Sequence, residues 1–346
     1  MGVKIFDIIP RKEILLKDLA NKIIVIDGNL NLYQFLSSIR QRDGSLLQDS
    51  HGNVTSHLSG LFNRTTRLMQ QGIKVCYVFD GKAPKLKEQE QKRRRDLKDA
   101  ASKKYEDAAK EENLEEMRKY ASRTSRLTKE MVEEAKILLG ALGLPVVQAP
   151  SEGEAQASKI VSNNHAFAVG SQDADCLMFG ATRLIKNLTL NTARKNPNKL
   201  AFTQINPELV ELQDVFTALE VTPEQLIALS MLIGTDFNPG GIPGVGPKHA
   251  LKNIKKYITD FDTMFKELEW AKHFSYPWQE VFDTIKNIPA TDDYTLKWQA
   301  LDQDKIIDIL CTAHDFSSER VSSQLEKLTK LSDANKQTGL NVWFNK

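Results

Sequence analysis

A chain of 346 residues with 41% apolar and 27% charged content is long and apolar enough for a sizeable core, and its net charge of +2 does not by itself announce a polyanionic partner. Three cysteines, Cys76, Cys176 and Cys311, never in a CxxC pair, argue against a disulfide framework and a structural zinc site. There is no apolar run near the ~20 residues of a membrane span and no secretory signal core, and Phe6 stands where a myristoylation motif after Met1-Gly2 needs Ser or Thr, so a soluble intracellular protein is expected.

In chain order, the apolar run KIIVID reads as a buried strand ending at Asp27, and Leu32, Phe35, Leu36 and Ile39 recur at helical spacing up to the Arg42-Asp43-Gly44 turn. A second amphipathic helix, with Leu58, Leu61, Phe62, Leu68 and Met69, starts from Thr55 and stops at Gly72, and VCYVFD follows as a strand ending at Asp80. Two such β–α steps predict an α/β fold with a mostly parallel central sheet flanked by helices. From Lys82 to Glu130 charge dominates, which marks an insertion outside the core. A helix from Thr128 to Leu142, capped by Gly143, then PVVQ, AFAVGS, RLIKNL and LAFTQI as short strands, resume the sheet. Asn206-Pro207 and Thr222-Pro223 each place a capping residue before proline and predict helix starts. Beyond Pro247 the chain reads as mostly helical, up to a polar tail around Ser332 to Lys336.

Asp27 and Asp80 fall at strand carboxyl ends, where open α/β sheets carry their chemistry. Five more acids follow: Glu152 and Glu154 in APSEGEAQAS, Asp173 and Asp175 in SQDADCLMFG, and Asp236 in LIGTDFNPGG. Each has a structural alternative. Asp27 suits a helix cap, Ser151 to Glu154 matches a capping box, and acids are common in loops such as that of Asp236. Asp173 and Asp175, two apart in an extended segment, would face one ion. Seven clustered carboxylates repel one another unless cations offset the charge, and hard divalent cations take oxygen ligands, so metal-dependent phosphodiester hydrolysis is the chemistry expected. GIPGVGPKHA, from Gly241 to Ala250, offers closely spaced glycines, Pro247 at a helix start and Lys248, an arrangement that suits a phosphate anchor. Lys82, Lys85, Lys87, Lys92, Arg93, Arg94, Arg95 and Lys98 crowd the first part of the insertion; a solvated helix is the plain explanation, and a guide for a nucleic-acid backbone is the one favoured beside a metal site.

Over nearly its whole length the chain resembles the flap endonucleases of the 5′-nuclease superfamily, archaeal type, through MGVKIFDIIP, IDGN…LYQFL, TSHLSGLFNRT, YVFDGKAPKLK, APSEGEAQAS, QDADCLMFG and GTDFNPGGIPGVGPKHA in the family's order. The resemblance implies a helical arch over the active site and a helix-two-turn-helix element that holds duplex DNA, with a possible monovalent cation there. It implies two Mg²⁺ ions, with Asp27, Asp80, Glu152 and Glu154 on one side and Asp173, Asp175 and Asp236 on the other. Lys87 and Arg94 correspond to arch residues that engage the scissile phosphate, Tyr33 to an aromatic that stacks on a base, and Gly241, Gly244, Gly246 and Lys248 to the duplex anchor. Gly28, Asn29 and Gly153 depart from the family's usual residues. The regions implied are 1–98, an N-terminal nuclease region; 99–115, the remainder of the arch; 116–258, an internal nuclease region with the helix-two-turn-helix; 259–331, helical; and 332–346, a tail.

In that tail Gln337, Leu340, Trp343 and Phe344 sit at helical spacing, and the pattern resembles the box by which replication proteins dock on the sliding clamp, proliferating cell nuclear antigen. The expected function is 5′-flap endonuclease with 5′-3′ exonuclease activity in DNA replication and repair, by a cytoplasmic protein that is monomeric alone and acts on branched DNA away from membranes. A related gap or junction endonuclease and a non-catalytic clamp-bound scaffold are the alternatives.

Overall fold

The computed structural model describes residues 2–111, 113–121, 123–189, 193–195 and 202–344, apart from the side chains of 89, 114, 118, 193–195, 202–204 and 332–344. Its central sheet has seven strands: β1 (Lys12–Glu13), β2 (Ile23–Asp27), β3 (Lys74–Phe79), β4 (Val146–Gln148), β5 (Ala168–Gly170), β6 (Arg183–Lys186) and β9 (Glu208–Glu211), in the order β1-β9-β6-β5-β2-β3-β4. The five strands from β6 to β4 are parallel, whereas β9 runs antiparallel to both β6 and β1. From β2 the chain builds outward through β3 and β4, then returns to the other side of β2 for β5 and β6. The carboxyl ends of β2 and β5 therefore flank a topological switch point, where such sheets open a crevice.

Both sheet faces are apolar, as parallel strands covered on each side require. Val25, Cys76 and Val78 point to one core, shared with Ala157, Ile160 and Val161 of α6 (Gly153–Ser162) and with α9 (Pro223–Ile233). Ile24, Ile26, Val75 and Tyr77 alternate to the other face, against α1 (Gly28–Ser38), α2 (Ser56–Gln70) and α5 (Lys129–Ala141). Fully burying side chains of this kind stabilises by about 1.5–3 kcal/mol each. The insertion folds as α3 (Glu88–Lys110) packed on α4 (Leu114–Ala121), so a region boundary at 98 falls inside one helix. Short α7 (Asp175–Met178) follows β5, and α8 (Leu212–Leu219) follows β9.

After α9 come α10 (Pro247–Tyr257), α11 (Phe261–Glu267), α12 (Trp270–His273), α13 (Trp278–Lys286), α14 (Gln303–Ile307) and α15 (Ser318–Phe344). Before α15, His314 bonds Asp49 Oδ2 at 2.9 Å and Glu134 Oε1 at 2.6 Å, which ties this end of the chain to the loop before α2 and to α5. Among the described residues no single helix is long and apolar enough to cross a membrane.

Three expectations are corrected. Asn206-Pro207 opens β9, not a helix: a residue before proline favours extended backbone, Pro207 lacks only a donor that a strand's beginning can spare, and its carbonyl accepts from Ile14. LAFTQI contributes β8 (Phe202–Gln204) to a separate two-stranded ribbon with β7 (Ala193–Lys195), outside the main sheet. The segment 332–336, read as a tail, continues the backbone of α15. Thr222-Pro223 does start a helix, with Thr222 and Gln225 forming a reciprocal capping box on α9.

Candidate metal centre and nucleic-acid path

The seven predicted acids come from the β2–α1, β3–α3, β4–α6, β5–α7 and α9–α10 connections, the first four of which lie at the carboxyl edge of the sheet. Asp27 ends β2, is 5% exposed, and caps α1 by accepting from the Leu30 N–H at 3.0 Å. Capping and the site are compatible, because one carboxylate oxygen is engaged and the other is not needed for the cap. Asp80, just past β3, accepts from the Gly153 N–H at 2.7 Å, so the first turn of α6 is fastened to it. A Cβ on Gly153 would lie 2.9 Å from that oxygen, and one on Gly28 would meet the Phe79 ring at 2.7 Å. Asn29 Oδ1 accepts from the Asp80 N–H at 3.2 Å. All three departures from the family's usual residues thus have local partners.

Two geometric expectations change. The capping box from Ser151 to Glu154 does not form: the Ser151 hydroxyl donates to the Lys82 carbonyl at 3.2 Å, Glu152 occupies the cap position without a side-chain bond to the helix's first turn, and Glu154 turns inward to accept from Ser171 Oγ at 3.0 Å. Asp173 and Asp175 are not in an extended segment. Ala174 between them is helical at φ −81°, ψ −5°, and the Asp175 N–H donates to Asp173 Oδ1 at 3.2 Å. Their carboxylates nonetheless converge, for Glu154, Asp173 and Asp175 each offer an oxygen within 4.8 Å of the others. The turn, not strand alternation, brings them together, and the Val3 N–H bonded to Asp175 Oδ1 at 2.7 Å holds the second acid in place.

Burial, then the charge of Asp80, pushes the Asp27 pKa well above its ordinary value. Burial with Asp173 and Asp175 does the same to Glu154, and burial with Asp173 to Asp175. Asp80 is raised to about 6 by burial and Glu152. An all-oxygen donor set whose members are strained by one another's charge fits divalent cations well. Glu154, Asp173 and Asp175 are the described group able to hold one.

Lys87, at the amino end of α3, reaches Glu152 Oε2 at 2.6 Å and Asp236 Oδ2 at 3.8 Å, and its ammonium lies 4.8 Å from the Phe237 ring centroid. Burial opposes its charge, yet Glu152 and Asp236 outweigh burial and hold its pKa above the usual lysine value. Arg94, two helical turns along, meets Asp236 Oδ1 at 2.5 Å and Glu90 Oε1 at 2.7 Å. Asp236 is therefore drawn to the acids through the insertion's cations. Tyr33 is 39% exposed on α1, with Lys98 Nζ 4.5 Å from its ring centroid, so it is not a core side chain.

The predicted anchor divides. Gly241 is buried at φ 59°, where a Cβ would fall 2.4 Å from the Leu232 carbonyl oxygen, so its lack of a side chain lets the loop close on the end of α9. Gly244 and Gly246 are exposed, with nothing within 4 Å of where a methyl would stand, and Lys248 is exposed in the first turn of α10. Gln337, Leu340, Trp343 and Phe344 carry side chains outside the described residues. Ser171 escaped sequence reasoning, because a single serine after a strand has no spacing to mark it.

Carboxylates gathered at a sheet's carboxyl edge, with the basic first part of a helical hairpin set against them, define a divalent-metal-dependent phosphodiesterase of the nuclease type. The XPG N-terminal domain family matches residues 1–101 and the XPG I-region matches residues 143–236. Flap endonuclease 1 of Pyrococcus abyssi is 49% identical over 100% of this chain and 99% of its own, and that of Thermococcus onnurineus 46% over 100% of both. The solved flap endonuclease-1 from Methanococcus jannaschii superposes with a TM-score of 0.75 at 40% identity, over 97% of this chain and 100% of that one. The catalytic core of Rad2 in complex with DNA substrate shares the fold at 22% identity, with a TM-score of 0.67 over 95% of this chain and 100% of that one. The chain belongs to the flap endonuclease 1 family, and is a structure-specific flap endonuclease of a divalent-metal-dependent nuclease class.

Proposed function

We propose that the enzyme cuts 5′ flaps at the junction of single strand and duplex, with 5′-3′ exonuclease activity as a second outlet of the same site, in DNA replication and repair in the cytoplasm. Asp27, Asp80, Glu152, Glu154, Asp173, Asp175 and Asp236 are read as the ligands of two Mg²⁺ ions, directly or through water. Bound divalent cations supply an activated water and neutralise charge on the scissile phosphate. The chain's own residues do the rest. The α3–α4 hairpin serves as the arch that guides the flap, and Lys87 and Arg94 exchange Glu152 and Asp236 for the scissile phosphate, where fixed cations stabilise charge developing in the transition state. Tyr33 offers a face on which a base near the cut stacks. Gly244, Gly246 and Lys248 receive a duplex phosphate, with a monovalent cation possible in the same loop, while Gly241 shapes that loop. The C-terminal box docks on the sliding clamp, and the protein alone is a monomer.

The observation that carries this reading is the meeting of Lys87 and Arg94 with the acid cluster, since a purely structural salt-bridge network has no use for several further carboxylates buried beside it. A 5′-flap duplex labelled at its 5′ end and incubated with the protein and Mg²⁺ should release a fragment cut near the junction, with a 5′-phosphate left on the duplex strand. Absence of cleavage, or undiminished cleavage by Asp175→Ala, overturns the reading.

A further inference from the structure

Ser171 follows β5, and its own N–H donates to the Ile185 carbonyl at 3.2 Å, which fixes its backbone to β6. Its side chain lies in a residue only 3% exposed. The hydroxyl oxygen accepts from the Asp173 N–H at 3.0 Å and lies 3.0 Å from Glu154 Oε1. A backbone N–H can only donate and an ionised carboxylate can only accept, so with Glu154 ionised, as a metal ligand is, the relay runs from the Asp173 N–H through the Ser171 O–H to Glu154. Cys176 Sγ approaches the same Glu154 oxygen at 3.8 Å.

We infer that Ser171 is a positioning residue for the metal centre, whose hydroxyl locks Glu154 to the Asp173 turn so that their carboxylates present a divalent cation with a preformed pair. The inference deepens the two-metal reading above and rests on it. Glutamate has one more rotatable bond than aspartate, and Glu154 reaches the site from a helix while Asp173 and Asp175 share one short turn. Of the three it therefore has most to gain from being held. Hydrogen-bond partners behind a ligand commonly matter by 10–100-fold in metal affinity, roughly the scale expected here.

Calorimetric titration of the DNA-free protein with Mg²⁺ tests this, with Asp175→Ala alongside. Ser171→Ala should bind Mg²⁺ about tenfold more weakly, and its single-turnover cleavage should recover toward wild type as Mg²⁺ is raised. Ser171→Thr, which keeps the hydroxyl, should bind nearly as wild type does; Ser171→Cys, with a weak S–H, should fall between and supplies the test if the alanine variant is poorly soluble. Wild-type affinity in Ser171→Ala while Asp175→Ala loses binding overturns the inference and leaves the metal centre standing. Equal losses in the alanine and threonine variants also overturn it, since volume and not the hydroxyl would then matter. Binding that Asp175→Ala leaves untouched removes the metal reading itself.

Discussion

Lys87 shows how a single side chain can belong to two states of the site. Bonded to Glu152 and close to Asp236, it offsets part of the acids' mutual repulsion, and under the proposed function the same ammonium exchanges these acids for a phosphate. Lys87→Ala should lower single-turnover cleavage by roughly 10²–10³ at saturating Mg²⁺, with flap binding changed far less; a loss seen only in binding would contradict a role in the chemical step. At this scale the sequence was informative wherever an acid ended an apolar run, as at Asp27 and Asp80, because strand ends are visible in hydrophobicity. It misled where a side chain's direction depends on a tertiary partner. Glu154 abandons the cap for Ser171, and Asp173 and Asp175 meet through a helical turn that no alternation pattern reveals.

The loop between α9 and α10 separates two uses of glycine. Gly241 has backbone atoms where a Cβ would stand, so Gly241→Ala should destabilise by roughly 3 kcal/mol and lower the melting temperature. Gly246 has open space and a φ of −82°, so Gly246→Ala should leave melting nearly unchanged and weaken duplex binding, measured as a fluorescence anisotropy Kd. If both variants melt alike, the division between shaping and contacting glycines is wrong. Elements with strong periodicity, α1, α2 and α5, were legible because their apolar faces meet the sheet. β9 was not, since Asn-Pro starts helices and strands alike, and only pairing with β6 chooses between them.

Charge balance links the whole molecule's stability to pH. In protein stripped of divalent cations, burial and Glu152 raise Asp80 from 3.8 to about 6, so between those values the native state binds more protons than the unfolded chain and stability falls as pH rises. Asp27, Glu154 and Asp175 are raised too and add in the same direction. His314 is raised, as Glu134 and Asp49 outweigh its burial; its contribution is fully present below its ordinary 6.5 and fades as pH climbs through its native value. Melting temperatures measured with and without Mg²⁺ should therefore diverge as pH rises from about 4 to about 7, whereas His314→Asn should remove a loss that Mg²⁺ leaves in place. A Mg²⁺ increment that is flat across this range would refute the coupling. The order of strands has one more consequence, for a chain still being made. β2 and β3 emerge early, yet β5 joins the free side of β2 only after residue 168, and Asp236 arrives later still. A nascent chain thus exposes only some of the seven acids, and under the proposed function it gains the complete set only after the last strand of the sheet has been made.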